Sequence, residues 1–253
     1  MAGAIIARMS LRDAIATPVG KRRYVRTLFA TIADRYDLIT VVLSYGRDRA
    51  WKRRLVKMVG SGSETRALDL ATGTGDIAYL LQARGVDVYG LDITPRMIEL
   101  ARRKRQAHGP RFLVGDMSSL PFDDASFDLV TTGYGLRNVP DLPRAIAEIA
   151  RVLKPGGRLL SLDFNRPENA VVRVVYLAYL HVVGGALGWM LHRDADTYRY
   201  IPASISNYPG AAAVARIMRE HGFVTAQWRR VLGGLMAIHD ATREALPTRT
   251  DIH

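Results

Sequence analysis

Short apolar runs alternate, from residue 66 onward, with segments whose apolar residues recur at helical spacing. The apolar runs predict strands at 67–70, 86–92, 111–116, 127–133, 158–164, 223–230 and 235–239. The clearest helix is predicted over 141–153, where Leu142, Ile146 and Ile149 share one face. Strands that alternate with helices predict an α/β fold with a doubly wound, mostly parallel seven-stranded sheet, whose ligand lies at the carboxyl ends of the strands.

Residues that begin or end helices stand at several of these boundaries. Asp76 is placed to cap the helix after the first strand, Gly85 to end it, and Pro95 to begin the next helix. Another helix is predicted near 211–220. The stretch KPGG, 154–157, predicts a turn before the fifth strand.

One segment interrupts the alternation after the fifth strand. Residues 170–191 are apolar on nearly every side, and 174–191 alone contain 18 residues with a single histidine, long enough to cross a bilayer. A crossing would place the last two predicted strands on the other side of the membrane from the first five. We therefore expect a lid that is buried or lies at an interface, and a buried structural helix fits the pattern equally well.

The composition limits the chemistry. The chain has 253 residues, of which 48% are hydrophobic, so it can bury a sizeable core. It has no cysteine, which excludes disulfides, cysteine-ligated zinc and thiol nucleophiles. The six histidines are far apart and form no HxxxH or HExxH pair, so no metal site is expected.

The net charge of +12 is concentrated near the N-terminus, where residues 1–57 contain thirteen Lys or Arg against four Asp. Such a segment attracts an anionic membrane face or nucleic acid, although a solvated basic arm has the same composition. The chain is accordingly divided into a basic arm and helical cap, 1–57, and a second domain, 58–253, with a lid-like insertion at 165–209.

The stretch DLATGTGDIA, 69–78, predicts a glycine turn that brings a ligand close to the backbone through Gly73, Thr74 and Gly75. It also fits the dinucleotide fingerprint G-x-G-x-x-A, which is weak evidence alone. Asp69 stands just before the turn, where a carboxylate would sit poorly beside a pyrophosphate. The same carboxylate can accept hydrogen bonds from a cationic amino acid group.

Two more acids end strands next to this turn. Asp92 ends the second strand, where a carboxylate can accept from both ribose hydroxyls, and Asp116 ends the third, where it can accept from an adenine amino group beside Met117. Gly133, at the end of the fourth strand, allows a close approach of the cofactor. One acid at each strand end suits a ligand with an amino acid, a ribose and an adenine but no phosphate, which is S-adenosylmethionine. The alternative is that Asp69, Asp76 and Asp116 are only caps and turn formers.

Longer motifs add a resemblance that runs in order through most of the chain. They are FATIADRYDLITVVLSYGRDRAWKR (29–53), GLDITPRMIELAR (90–102), YGLRNVPD (134–141), RVLKPGGRLL (151–160), DADTYRYIPASI (194–205) and GGLMAIH (233–239). The chain resembles class I S-adenosylmethionine-dependent methyltransferases, which have a Rossmann-like sheet, and more closely the ubiquinone/menaquinone biosynthesis C-methyltransferase family. It departs from the family pattern at Thr40, where an asparagine is usual, and at DFNRP, 163–167.

The resemblance implies C-methylation of a reduced prenylated quinone ring, either demethylmenaquinol or a demethoxy-type benzoquinol, in menaquinone or ubiquinone biosynthesis. A phenol of pKa near 10 must lose its proton or have its oxyanion stabilised. Arg137 stays protonated and would stabilise the phenolate directly or through a water, and Asn138 would donate to the same oxygen. His239 is a candidate base. The alternatives are a salt bridge for Arg137 and a core position for His239.

The resemblance also implies where the acceptor binds. The family's N-terminal block and the TYRY stretch would cover the active site, mainly with aromatic rings. The residues concerned are Tyr36, Asp37, Tyr45, Trp51, Tyr198 and Tyr200. Packing between helices would explain the same residues. A prenyl tail lies in lipid, so we expect a cytoplasmic enzyme associated peripherally with the inner face of the membrane. Assembly into a homo-oligomer or a quinone-synthesis complex is compatible with the sequence.

Four other functions fit part of the pattern. A methyltransferase of another lipid-like or small acceptor would share the cofactor motifs, but YGLRNV argues against it. An RNA methyltransferase would use the positive charge, but no RNA-binding module is recognisable, so no nucleic acid partner is expected. A non-catalytic scaffold of quinone synthesis would bind the cofactor without turnover. The hypothesis of a nicotinamide oxidoreductase is supported by the GTGDIA stretch alone.

Overall fold

The computed structural model describes residues 11, 15–44, 46–59, 65–104, 109–192 and 199–245. Helices α1 (Pro18–Ile32), α2 (Tyr36–Leu43) and α3 (Asp48–Lys57) precede the first strand. Thr17 caps α1 by accepting a hydrogen bond from the backbone N–H of Gly20. The division between residues 57 and 58 stays a prediction.

The seven described strands form a single sheet. They are β1 (Arg66–Leu70), β2 (Asp87–Asp92), β3 (Arg111–Val114), β4 (Phe127–Gly133), β5 (Leu153–Phe164), β6 (Phe223–Val231) and β7 (Met236–Arg243). Their order is β3-β2-β1-β4-β5-β7-β6, and β7 runs antiparallel to both of its neighbours, while the other neighbouring pairs are parallel. The strand order reverses between β1 and β4, which creates the switch point where ligands bind in such sheets.

Helices cover both faces of this sheet. The helices that follow β1 are α4 (Asp76–Gln82), α5 (Pro95–Arg103), α6 (Leu142–Val152), α7 (Ala170–His192), α8 (Tyr200–Asn207) and α9 (Ala211–Glu220). Leu68 of β1 packs in the cluster that contains residues of α6 and α9, whereas its neighbour Ala67 packs with residues of α3, α4 and α5. Successive strand residues point to opposite faces, so this alternation places helices on both sides. The predicted doubly wound, mostly parallel α/β fold is confirmed.

Three local predictions were wrong. The residues of KPGG belong to β5, because Leu153 already pairs with Phe127 and the register then shifts before Arg158 pairs with Leu129. They form a bulge within the strand rather than a turn before it. Asp76 does not cap α4: the helix begins at Asp76 itself, no side chain caps it, and the carboxylate is ion-paired instead. The strand predicted to reach residue 116 ends at 114.

Helix α7 is the insertion after β5, and of the two expectations for it the buried one was wrong, while a lid at an interface stays a prediction. Its apolar stretch Ala170–Met190 is long enough to cross a membrane, but only 12% of its most apolar window is buried. Val171, Val174, Val182 and Trp189 are each at least 66% exposed. The strands before and after α7 are hydrogen-bonded in one sheet, so a single crossing of a bilayer by α7 is excluded.

Candidate active site

A cleft of about 680 Å³ lies at the carboxyl ends of β1, β2 and β4, under helix α1. This is the edge of the sheet at which the sequence places the ligand. The cleft is lined by six of the predicted site residues: Gly73, Asp92, Asp116, Met117, Gly133 and Asn138.

Asp92 lines this main cleft, and both of its carboxylate oxygens accept backbone hydrogen bonds. One carboxylate oxygen accepts from the backbone N–H of Gly73 at 2.9 Å, and the other from that of Thr94 at 2.8 Å. Each carboxylate oxygen can accept a second hydrogen bond, so both remain able to bind a ligand hydroxyl. Burial raises the pKa of Asp92 above its ordinary value.

Asp116 lies at the rim of the main cleft and contacts the cap. It accepts from the backbone N–H of Ser118 at 2.8 Å and forms an ion pair with Arg22 of α1, also at 2.8 Å. Lys21 ties the same helix down by donating to the backbone carbonyl of Val139 at 2.6 Å. Helix α1 therefore closes over the place where the sequence puts an adenine, a contact that sequence reasoning missed.

Asp69 lines a smaller cavity of about 280 Å³ that adjoins the main cleft. Its carboxylate accepts from the hydroxyls of Thr72 at 2.6 Å and Thr131 at 2.8 Å. Burial raises the pKa of Asp69 to about 6, against the opposing effect of these hydrogen bonds. Lys52 lines the same small cavity, which thus presents a carboxylate and an ammonium group to one ligand end.

The other two residues of the glycine turn have different positions. Thr74 lines the small cavity, and its hydroxyl donates to Asp37 at 2.6 Å. Gly75 lines neither cavity. It has a φ of +86°, and a Cβ there would lie 2.8 Å from the ring of Phe112. Its predicted cofactor contact is therefore corrected to a packing role, because only glycine lets α4 approach the sheet this closely.

A second cavity, of about 600 Å³, lies between the cap helices and α8. Its walls are mostly apolar side chains of α1, α2 and α8: Leu28, Phe29, Ile32, Ile39, Leu43 and Ile201. It shares Phe29, Tyr36 and Tyr134 with the main cleft, so these three rings form the wall between the two spaces. Two apolar-walled spaces that adjoin at one wall can hold two different molecules side by side.

Arg137 lines this second cavity from the turn at Leu136–Asn138. Its Nη1 donates to a carboxylate oxygen of Asp163 at 2.7 Å, and the side chain is 7% exposed. The salt bridge considered as an alternative is therefore present. The guanidinium still faces the cavity, and its Nε has no hydrogen-bond partner among the described residues.

Asn138 faces a different space from Arg137. It lines the main cleft, where its Nδ2 donates to the carbonyl of Tyr134 at 2.8 Å and its buried Oδ1 has no partner within the described part of the chain. Arg137 Nη1 donates to the same carbonyl oxygen of Tyr134 at 2.9 Å, so the two side chains can reach one oxygen although they line different spaces. A shared contact with an oxygen of the acceptor stays a prediction.

His239 is a core residue. Its side chain is 1% exposed, it contacts the carbonyl of Ala211 through Nε2 at 2.9 Å, and it lines none of the three cavities. Its strand, β7, pairs with β5 and β6 on the side of the sheet away from β1. The predicted role as a base is wrong.

The residues predicted to cover the active site fall into two groups, those that line a cavity and those that do not. Tyr36 and Tyr200 line the second cavity, whereas Trp51 is buried in the core with Leu55. Tyr45 and Tyr198 lie outside the described residues. Asp37 is ion-paired with Lys104 at the surface.

Sequence reasoning also missed a buried polar chain beside the site. Tyr134 has a φ of +62°, which is strained for a bulky residue, and its hydroxyl donates to Asp48 at 2.8 Å. Asp48 is ion-paired with Lys52 at 2.7 Å, and Lys52 with Asp76 at 3.0 Å. The i, i+4 spacing of Asp48 and Lys52 is the feature of the sequence that could have indicated this ion pair.

Comparisons with known proteins agree with this geometry. A model of the ubiE/COQ5 methyltransferase family matches residues 17–243. A demethylmenaquinone methyltransferase of Thermus thermophilus is 41% identical over 220 residues, which cover 85% of this chain and 100% of the relative. Enzymes of the same description from Deinococcus radiodurans and Staphylococcus aureus are 42% and 34% identical, covering 82% and 91% of this chain and 90% and 97% of their own.

Solved structures show the same fold at lower identity. A chain from the complex of the Haloferax volcanii Trm112 methyltransferase activator with a putative methyltransferase has a TM-score of 0.64 and 21% identity, covering 85% of this chain and 97% of its own. A methyltransferase of Thermotoga maritima has a TM-score of 0.63 and 20% identity, covering 87% and 100%.

Proposed function

Because the chain belongs to the ubiE/COQ5 methyltransferase family and is an S-adenosylmethionine-dependent methyltransferase of quinone biosynthesis, we propose that its acceptor is demethylmenaquinol, a reduced prenylated naphthoquinone. The curated relatives named above are demethylmenaquinone methyltransferases, which favours a naphthoquinol over a demethoxy-type benzoquinol. The observation that carries the proposal is the apolar second cavity, which adjoins the main cleft at a shared wall of three rings.

The residues of the main cleft fit the cofactor. The free acceptor sites of Asp92 and the unpartnered Oδ1 of Asn138 face the main cleft, where Arg22, the one cationic side chain among its described lining residues, is ion-paired with Asp116. Gly135 also lines the main cleft, and a Cβ there would collide with the Thr132 hydroxyl and come within 2.8 Å of the Ala71 Cβ, so the chain packs closely at this point. When bound, S-adenosylmethionine would supply the electrophilic methyl group that a ring carbon receives in exchange for its proton.

Each side chain then has a defined task. Asp92 would hold the ribose hydroxyls, Asp116 and Met117 the adenine, and Asp69 the ammonium group. In the second cavity Arg137 would stabilise the negative charge that develops on a phenolic oxygen. Asp163 keeps the guanidinium in place for that role.

A comparison of acceptors tests the proposal. The enzyme is assayed in mild detergent with labelled cofactor and either reduced demethylmenaquinol or a demethoxy-type benzoquinol. We expect the higher kcat/KM for the naphthoquinol. Preference for the benzoquinol would overturn the acceptor assignment, and no transfer to either despite cofactor binding would favour another acceptor or a scaffold.

Cofactor affinity should rise as the pH rises from 5 to 7. Asp69 has a pKa of about 6, so it is mostly neutral at pH 5 and mostly ionised at pH 7, and only the ionised form attracts an ammonium group strongly. Each pH unit below that pKa should weaken binding by about tenfold. Titration calorimetry with S-adenosylmethionine measures this, and Asp69→Asn should bind weakly with a flat profile.

The same pKa has a consequence for stability. Because the folded-state pKa of Asp69 is raised above the usual 3.8, the folded protein binds more protons than the unfolded chain between about pH 4 and 6. The contribution of Asp69 to stability therefore falls as the pH rises through that window. The unliganded Asp69→Asn variant should lack this loss of stability. If its cofactor affinity and its stability both still varied with pH as in the wild type, the raised pKa would not belong to Asp69.

We propose as well that the enzyme works at the inner face of the cytoplasmic membrane, with α7 seated in the lipid interface. Helix α7 exposes valines and Trp189, and it packs against α8, which walls the acceptor cavity. A prenyl tail partitions into hydrocarbon, so a cavity beside an exposed apolar helix suits such an acceptor. The basic N-terminal segment would add attraction to anionic lipid.

Vesicle flotation tests the membrane proposal. The wild-type protein should float with vesicles of phosphatidylglycerol and phosphatidylcholine, and less with phosphatidylcholine alone. Val174→Gln with Val175→Gln should reduce flotation, whereas Val224→Gln, an exposed valine on β6, should not. Absence of binding at moderate salt would contradict the proposal, as would an α7 variant that changes only the oligomeric state.

A further inference from the structure

Tyr200 has a hydroxyl group that the fold leaves without a partner. It is the first residue of α8, its side chain is 1% exposed, and it lines the second cavity. Its ring packs on Tyr24 with centroids 5.5 Å apart, which fixes its orientation. The hydroxyl has no hydrogen-bond partner among the described residues. A buried hydroxyl left unsatisfied costs about 1–3 kcal/mol, so its retention calls for a reason.

Most other polar groups of this cavity are already engaged. The hydroxyl of Thr40 donates to the carbonyl of Tyr36 at 2.8 Å, that of Ser44 to the carbonyl of Val41 at 3.1 Å, and that of Tyr134 to Asp48. Of the cavity's polar side-chain atoms, the Tyr200 hydroxyl and the Nε of Arg137 are the buried ones left unsatisfied within the described part of the chain.

These two atoms differ in their chemistry. Arg137 is a permanent cation whose charge is balanced by Asp163. Burial raises the pKa of Tyr200 well above its ordinary value, so the phenol stays neutral and keeps its proton to donate. An apolar cavity with one cationic and one neutral donor suits a flat ring that carries polar oxygens.

Building on the proposed function, we propose that the hydroxyl of Tyr200 donates a hydrogen bond to a ring oxygen of the quinol acceptor. This bond, together with Arg137, orients the ring so that the carbon to be methylated faces the wall shared with the main cleft. Tyr200 is thus a substrate-binding residue rather than only a packing partner of Tyr24.

Tyr208 provides a matched control. It is also a buried tyrosine, 4% exposed, whose hydroxyl lacks a partner among the described residues, but it lines none of the three cavities. Tyr200→Phe and Tyr208→Phe each remove one oxygen atom and keep the ring. If the Tyr200 hydroxyl had only a structural role, the two variants would have the same kinetics.

Steady-state kinetics with reduced demethylmenaquinol test the inference. Tyr200→Phe should lower kcat/KM for the quinol by about 10- to 100-fold, because the ring oxygen of the bound quinol loses its donor, and it should leave the Kd for S-adenosylmethionine unchanged. Tyr208→Phe should keep the wild-type kcat/KM and Kd. Neither variant should have a lower Tm than the wild type, because each loses a buried hydroxyl that has no partner among the described residues.

The outcomes separate the two proposals. If the wild-type enzyme transfers no methyl group to the quinol, the proposed function fails and this inference fails with it. If the wild type is active and Tyr200→Phe retains full kcat/KM, only the inference is overturned. A change in cofactor Kd alone would also overturn it, because it would place Tyr200 at the other substrate.

Discussion

Replacing Arg137 with methionine should lower kcat for the quinol by about 100- to 1000-fold, the usual effect of losing one donor to a developing oxyanion. The same variant should lose roughly 3–5 kcal/mol of stability, because it leaves the carboxylate of Asp163 buried without its cation. The two effects have different causes. The fall in kcat comes from the lost contact with the acceptor in the second cavity, and the loss of stability comes from the unpaired carboxylate in the core.

A second substitution separates these effects. Asp163→Asn removes the charge but keeps an oxygen that can accept from the backbone N–H of Phe164, as Asp163 does at 2.8 Å. Arg137→Met combined with Asp163→Asn should therefore regain most of the stability, measured by urea unfolding, and none of the turnover. Recovery of turnover in the double variant would show that Arg137 serves only the fold.

Replacing Asp92 with asparagine should weaken S-adenosylmethionine binding by about 100-fold or more. The carboxylate would accept two charge-assisted hydrogen bonds from the ribose, each worth about 1.5–3 kcal/mol. An asparagine also turns an N–H₂ group toward the backbone N–H of Gly73 or Thr94, which needs an acceptor. Titration calorimetry gives the two dissociation constants directly.

Asp87 is the control for this measurement. It lies at the other end of β2, with a half-exposed side chain paired with Arg111. Asp87→Asn makes the same chemical change on the same strand. Because an exposed ion pair contributes little to stability, the cofactor affinity of this variant should equal that of the wild type. Equal losses in both variants would mean that Asp92 acts through the stability of the strand.

The convergence of several predicted site residues in one cleft could be predicted because the sheet topology brings them together. Asp92 ends β2 and Asp116 follows β3, and these two neighbouring strands are parallel, so their carboxyl ends lie along the same cleft beside the switch point. Once alternating strands and helices were recognised, their convergence in the main cleft followed. Gly75 shows the limit, since a glycine turn predicts a close approach without saying whether a ligand or Phe112 is the neighbour.

The acceptor side was less predictable for a physical reason. Arg137 and Asn138 are adjacent in sequence, and only the local turn decides that they face different cavities. The ion pair between Arg137 and Asp163 joins residues 26 positions apart, which no spacing rule indicates. Helix α7 is apolar all round, a pattern that usually means burial, and only the packed structure shows it exposed.

The proposed reaction is the methylation of a ring carbon of a quinol held next to the main cleft. The most direct measurement uses S-adenosylmethionine labelled in its methyl group, reduced demethylmenaquinol and NMR of the isolated product. We expect the label on a ring carbon, with product formation largely lost in Arg137→Met. Label on a phenolic oxygen, or no labelled product from an enzyme that binds the cofactor, would contradict the account.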